Sequence, residues 1–552
     1  MTRKTWFSWV AAGMLGLAAG VSGAAPSVTV ASSAPVADTV QGKVTGITRT
    51  LPGTDLAADA FLGIPYAEPP VGDLRWKPAA PAKNWTGVRN AEWHAAPCLQ
   101  PEGGSEDCLY ADIYRPAGTK SDAKLPVAVY LHGGANITGS ASAQDPSRLA
   151  AESGVIVVAV QYRLGALGFL SLPEFGEASG NFAITDIEEA LRWVKKTIAG
   201  YGGDPDRVTL MGESSGGTDV CRMLVDPKAK GLFHQAVIQS DTCAFDSERP
   251  AKAKRRSEFF IKRAGCDFES GVGNCLRKVP AEKIAEASAS SGLWAPVSEV
   301  PGIEQISKGN WNRVPLLSGS NKNEARDAAS VFTGWSEDAY KVWVKRLVGD
   351  NWYKAQVEYP GDKYEKDEAY GVPYIMGDFM TDSGMRGLGG CGSLTLARAA
   401  AASDVTSWFY AFEDENAPTL LRPRYPGYKT GASHGSELSY LFPDTGRFLA
   451  LASKMTPDQK QLAETIRAYW GNFIRTGDPN GKGVPAWGPY KEDGAVMVLA
   501  PGKTGTRPAA YFAGEHKCAF WASIPPVTDG GAVSEFGPGF RTVQKTKASF
   551  FW

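Results

Sequence analysis

Val208-Thr209-Leu210-Met211-Gly212-Glu213-Ser214-Ser215-Gly216-Gly217 carries an apolar, strand-forming segment straight into a serine flanked by glycines. A G-x-S-x-G alone is a weak pattern. Here it lies between a predicted strand, Arg207 to Met211, and a predicted helix. That context calls for a tight turn of small residues that lifts the Ser214 hydroxyl above the end of a sheet, with the positive end of the helix behind it. The alternative is a serine sitting by chance in a glycine-rich turn.

Working outward, Leu125 to Leu131 is a continuous apolar run ending at His132-Gly133-Gly134, and Val155 to Val160 is a second. Such runs suit strands buried on both faces. From Asp186 to Ile198 the apolar residues Ile187, Ala190, Leu191, Val194 and Ile198 fall at helical spacing. Ala236 to Ile238, Val314 to Leu317, Trp408 to Phe412 and Val496 to Leu499 are further strand candidates, separated by stretches long enough for crossover helices. The expected fold class is α/β, with a large doubly wound, mostly parallel central sheet and helices on both faces. Residues 330 to 400 lack a strand pattern and are expected to form helical excursions over the active site. No internal repeat and no low-complexity linker interrupts residues 41–552.

The composition is that of a globular protein able to bury a core unaided: 552 residues, 43% hydrophobic and 21% charged. With 58 basic against 59 acidic side chains, no electrostatic attraction to nucleic acid or to an anionic membrane is expected. A small neutral substrate fits better, and oligomeric state is left open. At the N-terminus, Arg3 and Lys4 precede an apolar stretch from Trp6 to Val21 and the small residues Ser22-Gly23-Ala24. This reads as a signal peptide over residues 1–24, hence export to the periplasm or the medium. An uncleaved anchor is the alternative, but the stretch is short and interrupted by Gly13, Gly16 and Gly20, and no later run could span a bilayer. Residues 25–40, rich in Ala, Ser, Val and Pro, read as a flexible lead-in.

Eight cysteines in an exported chain suggest disulfides. Cys98 with Cys108 and Cys266 with Cys275 are favoured because they close short loops. There is no C-x-x-C, and the five histidines at 94, 132, 234, 434 and 516 are scattered, so neither metal nor cofactor is expected.

A serine hydroxyl attacks poorly unless a base takes its proton, and in this strand-turn-helix setting the base follows in the order serine, acid, histidine. Three histidines follow Ser214. His234 stands at the start of a predicted strand and reads as structural. His516, beside Lys517 and Cys518, reads as a surface or disulfide-flanking residue. His434, in Gly431-Ala432-Ser433-His434-Gly435, lies in a loop after the strand Trp408 to Phe412 and is the candidate base. Glu324 follows the strand ending at Leu317, where an acid could reach the imidazole Nδ1, and Asp327 is its competitor. For the oxyanion, Gly133-Gly134-Ala135 can present backbone N–H groups at the end of the strand Leu125 to Leu131, with the Ser215 amide as a third donor.

These segments, together with others along the chain, resemble the type-B carboxylesterase and cholinesterase-like family. The likeness rests on Phe61-Leu62-Gly63-Ile64-Pro65-Tyr66-Ala67-Glu68-Pro69-Pro70, Ser105-Glu106-Asp107-Cys108-Leu109-Tyr110, Tyr162-Arg163-Leu164-Gly165, Gly180-Asn181 with Asp186, Gly202-Gly203-Asp204-Pro205 and Gly477-Asp478-Pro479-Asn480. It implies the α/β-hydrolase fold with residues 41–552 as one domain, a triad of Ser214, Glu324 and His434, and an oxyanion hole of Gly134, Ala135 and Ser215. It further implies a supporting role near the histidine for Ser240 and a bridge between Cys391 and Cys518. Cys221 and Cys243 have no familiar partner and are expected to pair with each other. Asn136 stands where the family usually has an aromatic residue, which predicts a more polar pocket wall. Ser215 replaces the usual alanine but contributes only its amide. The nine residues between Cys98 and Cys108 are too few for the loop of a choline-ester specialist.

The expected activity is hydrolysis of small to medium neutral carboxylic esters through an acyl-enzyme, without cofactor or metal. Two alternatives stand beside it. One is a specialist for bulky natural, toxin or polyester esters, and the other a non-catalytic binding protein of the same fold, which loss of any one of the three residues would have favoured.

Overall fold

The computed structural model describes residues 34–267, 271–361, 370–418, 425–444, 446–491 and 494–525. The predicted signal peptide, and the lead-in as far as residue 33, lie outside them. Val36–Thr39, which composition assigned to an unpacked lead-in, instead pairs antiparallel with Gly42–Thr45, and Val88–Asn90 completes a small three-stranded sheet. Ala37 is buried there. An alternation only four residues long was hidden by the surrounding Ala, Ser and Pro.

The main sheet has eleven strands: β1 (Ile47–Thr50), β2 (Ala57–Pro65), β3 (Tyr110–Pro116), β4 (Leu125–Leu131), β5 (Ile156–Val160), β6 (Gly203–Glu213), β7 (Gln235–Gln239), β8 (Leu316–Asn321), β9 (Ser407–Phe412), β10 (Ala495–Leu499) and β11 (Gly505–Pro508). Their order is β11-β10-β9-β8-β7-β6-β4-β5-β3-β2-β1. From β5 to β10 every neighbouring pair is parallel, while β1, β2, β3 and β11 join antiparallel at the two ends.

The apolar runs are continuous because both faces are covered. Val127, Val129 and Leu131 of β4 face a core shared with Ile187, Leu191 and Val194 of helix α1 (Phe182–Thr197). Ala128 and Tyr130 face the opposite core. After the intervening helices α2 (Ser215–Val225), α3 (Glu337–Val348), α4 (Gly371–Asp382) and α5 (Gly390–Ala401), helix α6 (Pro457–Thr476) fills that side with Ile466, Trp470 and Phe473. Each such side chain, fully buried, adds about 1.5–3 kcal/mol. Thr456 and Gln459 form a capping box that starts α6, and Gly477 ends it in the left-handed conformation.

Between residues 330 and 400 the described residues are mostly helical. Trp343 of α3 and Phe379 of α4 share a separate core with Phe520. Four disulfides join Cys98 to Cys108, Cys221 to Cys243, Cys266 to Cys275 and Cys391 to Cys518. No helix among the described residues is long and apolar enough to cross a membrane.

Candidate active site

Strand β6 ends at Glu213, and Ser214 follows with φ 57 and ψ −126 before α2 begins. This left-handed backbone is costly for a serine, and the neighbours show why it persists. The Ser214 N–H donates to Gln239 O (2.9 Å), which ties the turn to the end of β7. A Cβ on Gly212 would run into Gly216 O, and one on Gly216 into Leu131 O, so glycine is required on both sides of the serine. Ser214 is thereby held at the carboxyl end of the parallel strands.

Two loops meet above the same edge. The 321–326 segment leaves β8, the 431–436 segment follows β9, and they are laced together by Asn323 N donating to Ala432 O (2.9 Å), Ala432 N to Asn323 Oδ1 (3.1 Å) and His434 N to Glu324 O (3.2 Å). As a result Glu324 Oε2 lies 2.6 Å from His434 Nδ1, while Glu324 Oε1 accepts from Asn321 N (2.7 Å). Glu324 is fully buried. Asn321 in turn donates to Ser433 O (2.8 Å) and to Glu437 Oε2 (2.6 Å), and Glu437 Oε1 accepts from Gln239 Nε2 (3.1 Å). Every lone pair of the acid that is used is therefore fixed by a second group.

The other imidazole nitrogen points to the serine turn, since His434 Nε2 is 3.3 Å from Oε1 of Glu213. Gly133, from the loop after β4, closes against that turn: a Cβ there would sit 2.5 Å from Glu213 Oε2 and 3.0 Å from Ser214 Cβ. Gly134 and Ala135 continue the loop with φ 126 and 57. The neighbouring His132 stacks on Tyr162, and burial brings its pKa down to about 4, so it is neutral and supports the loop without charge. His434 behaves oppositely. Burial alone would lower its pKa, but Glu213, then Glu324 and Asp327, outweigh it and raise the pKa above the ordinary imidazole value.

The remaining sequence candidates separate as follows. Asp327 is buried, accepts from Ala328 N (2.7 Å), and has its carboxyl pushed up to about 6 by burial. His234 is structural, its Nδ1 accepting from Val208 N (3.2 Å). His516 is not at the surface. It is buried with Nδ1 2.6 Å from Asp382 Oδ1, a partner far away in sequence. Ser240 is buried at the end of β7, and its Oγ makes no hydrogen bond among the described residues. Asn136 does not add a polar patch to a pocket wall: it is 1% exposed and directed at the buried Asp219 of α2. Cys221, Asp241 and Cys243 cluster at a spacing that could suit a metal, but both sulfurs are joined in a bridge. Sequence reasoning overlooked Glu213, Asn321 and Glu437. The first was legible in principle, since it adjoins the serine on a tight turn that the candidate histidine must reach.

A mostly parallel sheet bearing a serine on a strained strand-to-helix turn, with a histidine and a buried glutamate over the same edge, defines an α/β-hydrolase. The chain belongs to the carboxylesterase family, whose model matches residues 33–521. It is 32% identical over 546 residues to a cocaine esterase of Homo sapiens, covering 90% of this chain and 92% of that one. It is 30% identical over 566 residues to a pyrethroid hydrolase of Mus musculus, covering 94% and 96%. Among solved structures, a carboxylesterase of Geobacillus stearothermophilus superposes with a TM-score of 0.73 at 30% identity, covering 88% of this chain and 99% of that one. The protein is a serine hydrolase of carboxylic esters.

Proposed function

We propose that Ser214 is the nucleophile, His434 its base and Glu324 the acid that orients the base, acting on small to medium neutral esters. The observation that carries this reading is the 2.6 Å contact of Glu324 Oε2 with His434 Nδ1, with Nε2 directed to the serine turn through Glu213. His434 takes the proton of Ser214, the alkoxide adds to the ester carbonyl, and the amides of Gly134, Ala135 and Ser215 receive the charge on oxygen. The protonated His434 returns its proton to the departing alcohol. Water, activated by the same histidine, then releases the acid from the acyl-enzyme. Ser240, buried at the end of β7 beside the serine turn, supports that edge. The near-balanced charge of the chain provides no field that would favour an ionic substrate.

Residues 1–24 are proposed to direct export and to be removed, leaving the domain from residue 41 onward to carry the activity in the periplasm or the medium. Four disulfides fit such an oxidising compartment. Ser214→Ala should abolish hydrolysis of p-nitrophenyl esters while circular dichroism stays that of the parent. Stoichiometric labelling of this variant at a single site by an organophosphonate would place the nucleophile elsewhere. Extending the ester panel by acyl length, and then to cocaine and a pyrethroid, separates a broad esterase from a specialist for bulky esters.

A further inference from the structure

The loop assigned above to the oxyanion holds two successive non-glycine residues, Ala135 and Asn136, in the left-handed region with φ 57 and 56. Asparagine tolerates that region better than most residues, alanine does not, and the turn needs something to hold it. Part of the hold is backbone: Ile137 N and Thr138 N donate to Gly134 O (both 3.0 Å), and Gly165 N donates to Asn136 O (2.7 Å). The rest is a side-chain contact. Asn136 Nδ2 donates to Asp219 Oδ1 (3.4 Å), and both residues are almost fully removed from water. Asp219 belongs to the helix that begins at the serine turn, so this contact joins the two halves of the site.

Among the described residues, Oδ1 of Asn136 and Oδ2 of Asp219 are each buried without a hydrogen-bond partner. As an amide facing a carboxylate, both atoms could only accept. A proton on Oδ2 removes the conflict, because the acid O–H can then donate to Asn136 Oδ1 while Asn136 Nδ2 donates back, closing a ring of two hydrogen bonds. Tyr162, also beside Asp219, gives its proton to His132 O (2.5 Å) and so has none to offer the carboxyl. Burial raises the Asp219 pKa well above the ordinary carboxylate value. The hydrogen bond from Asn136 opposes this, and the nearby Asp241 and Asp246 reinforce it.

The geometry points to Asn136 and Asp219 as a carboxamide–carboxylic acid clamp, a positioning pair that keeps the amides of Gly134 and Ala135 aimed at the developing oxyanion. The inference rests on the proposed oxyanion role of that loop.

The test compares Asn136→Ala, Asp219→Ala, the double variant and Asp219→Asn with the parent, with rates per serine titrated by a phosphonate. Readouts are kcat and KM on p-nitrophenyl butyrate, and affinity for a trifluoromethyl ketone, whose serine adduct carries an oxyanion. Each alanine variant should lose roughly ten- to a hundredfold in kcat with KM little changed, and a similar factor in ketone affinity. The double variant should be no worse than the poorer single one, because one clamp is broken only once. Asp219→Asn, neutral and able to form the same ring, should rescue most of the loss. Parent-like kcat in both alanine variants, additive losses, or an Asp219→Asn as impaired as Asp219→Ala would overturn the clamp. Gly134→Ala, whose methyl would strike Thr138 O, serves as the control. If it is impaired while the clamp variants are not, only the clamp falls, whereas a Gly134→Ala with parent kcat and ketone affinity removes the oxyanion assignment itself.

Discussion

Glu213 Oε1 lies 3.3 Å from Nε2 of His434, the nitrogen not held by Glu324, so the imidazole stands between two buried carboxylates. Both favour the protonated ring. As the proposed base, His434 must be unprotonated to accept the serine proton, so kcat/KM should rise with pH through its pKa, with the acid limb above the ordinary imidazole value of 6.5. Glu213→Gln removes the strongest of the charges that raise this pKa, and should move that limb to lower pH by about one unit. Rates of p-nitrophenyl ester hydrolysis from pH 5 to 10 decide the matter, and an unmoved limb would show that Glu213 does not act on the base.

Glu324→Gln preserves size and removes the charge that stabilises the imidazolium. It should lower kcat by about three to four orders of magnitude, with KM and melting temperature little changed. Asp327→Asn should cost no more than a few-fold, because Asp327 already spends Oδ1 on Ala328 N. Should the Asp327 variant be the more damaging at unchanged stability, the acid has been misassigned.

Gly389 bears on the acid from behind. Its φ is 61, and a Cβ there would sit 2.5 Å from Cγ of Glu324 and 3.2 Å from Cβ of Ser320. Gly389→Ala should therefore displace Glu324 from His434, lowering kcat more than tenfold at a stability cost of about 1–3 kcal/mol. Kinetics equal to the parent would mean that the glycine loop yields and the acid does not.

Cys391–Cys518 encloses a sequence separation of 127, against 9 for Cys266–Cys275. From loop entropy alone, removal of the long bridge by paired serine substitutions should cost about 5 kcal/mol and that of the short one about 3 kcal/mol. Urea unfolding of the two double variants tests the ranking. A larger loss for the short bridge would point to local packing as the dominant effect.

The buried parallel strands were legible because strands covered on both faces read as unbroken apolar runs, and β4 was predicted with its observed bounds. β1 and β11 escaped notice because they are short edge strands with exposed polar residues such as Thr48 and Arg507, and carry almost no hydrophobic signal. At the site, Ser214, Glu324 and His434, the proposed triad, could be nominated because such chemistry constrains residue type and chain order. Their supports could not. Asn321, Glu437 and Asp219 act through contacts between segments far apart in the chain, and Asn136 was read by its polarity when its backbone conformation and buried partner decide where it points.

The strand order has a kinetic consequence. Leu316 pairs with Ser407, and Phe409 with Val496, so each of these parallel ladders must wait for a long stretch of chain before it can zip. Sheets closed through such distant partners fold slowly and leave bare strand edges while they wait. A chain still missing its C-terminal third holds the serine on β6 but not the histidine beyond β9. With the proposed triad, competence for catalysis is thus acquired late, after most of the scaffold has formed, and fragments released early by proteolysis would carry the serine without the histidine proposed to activate it.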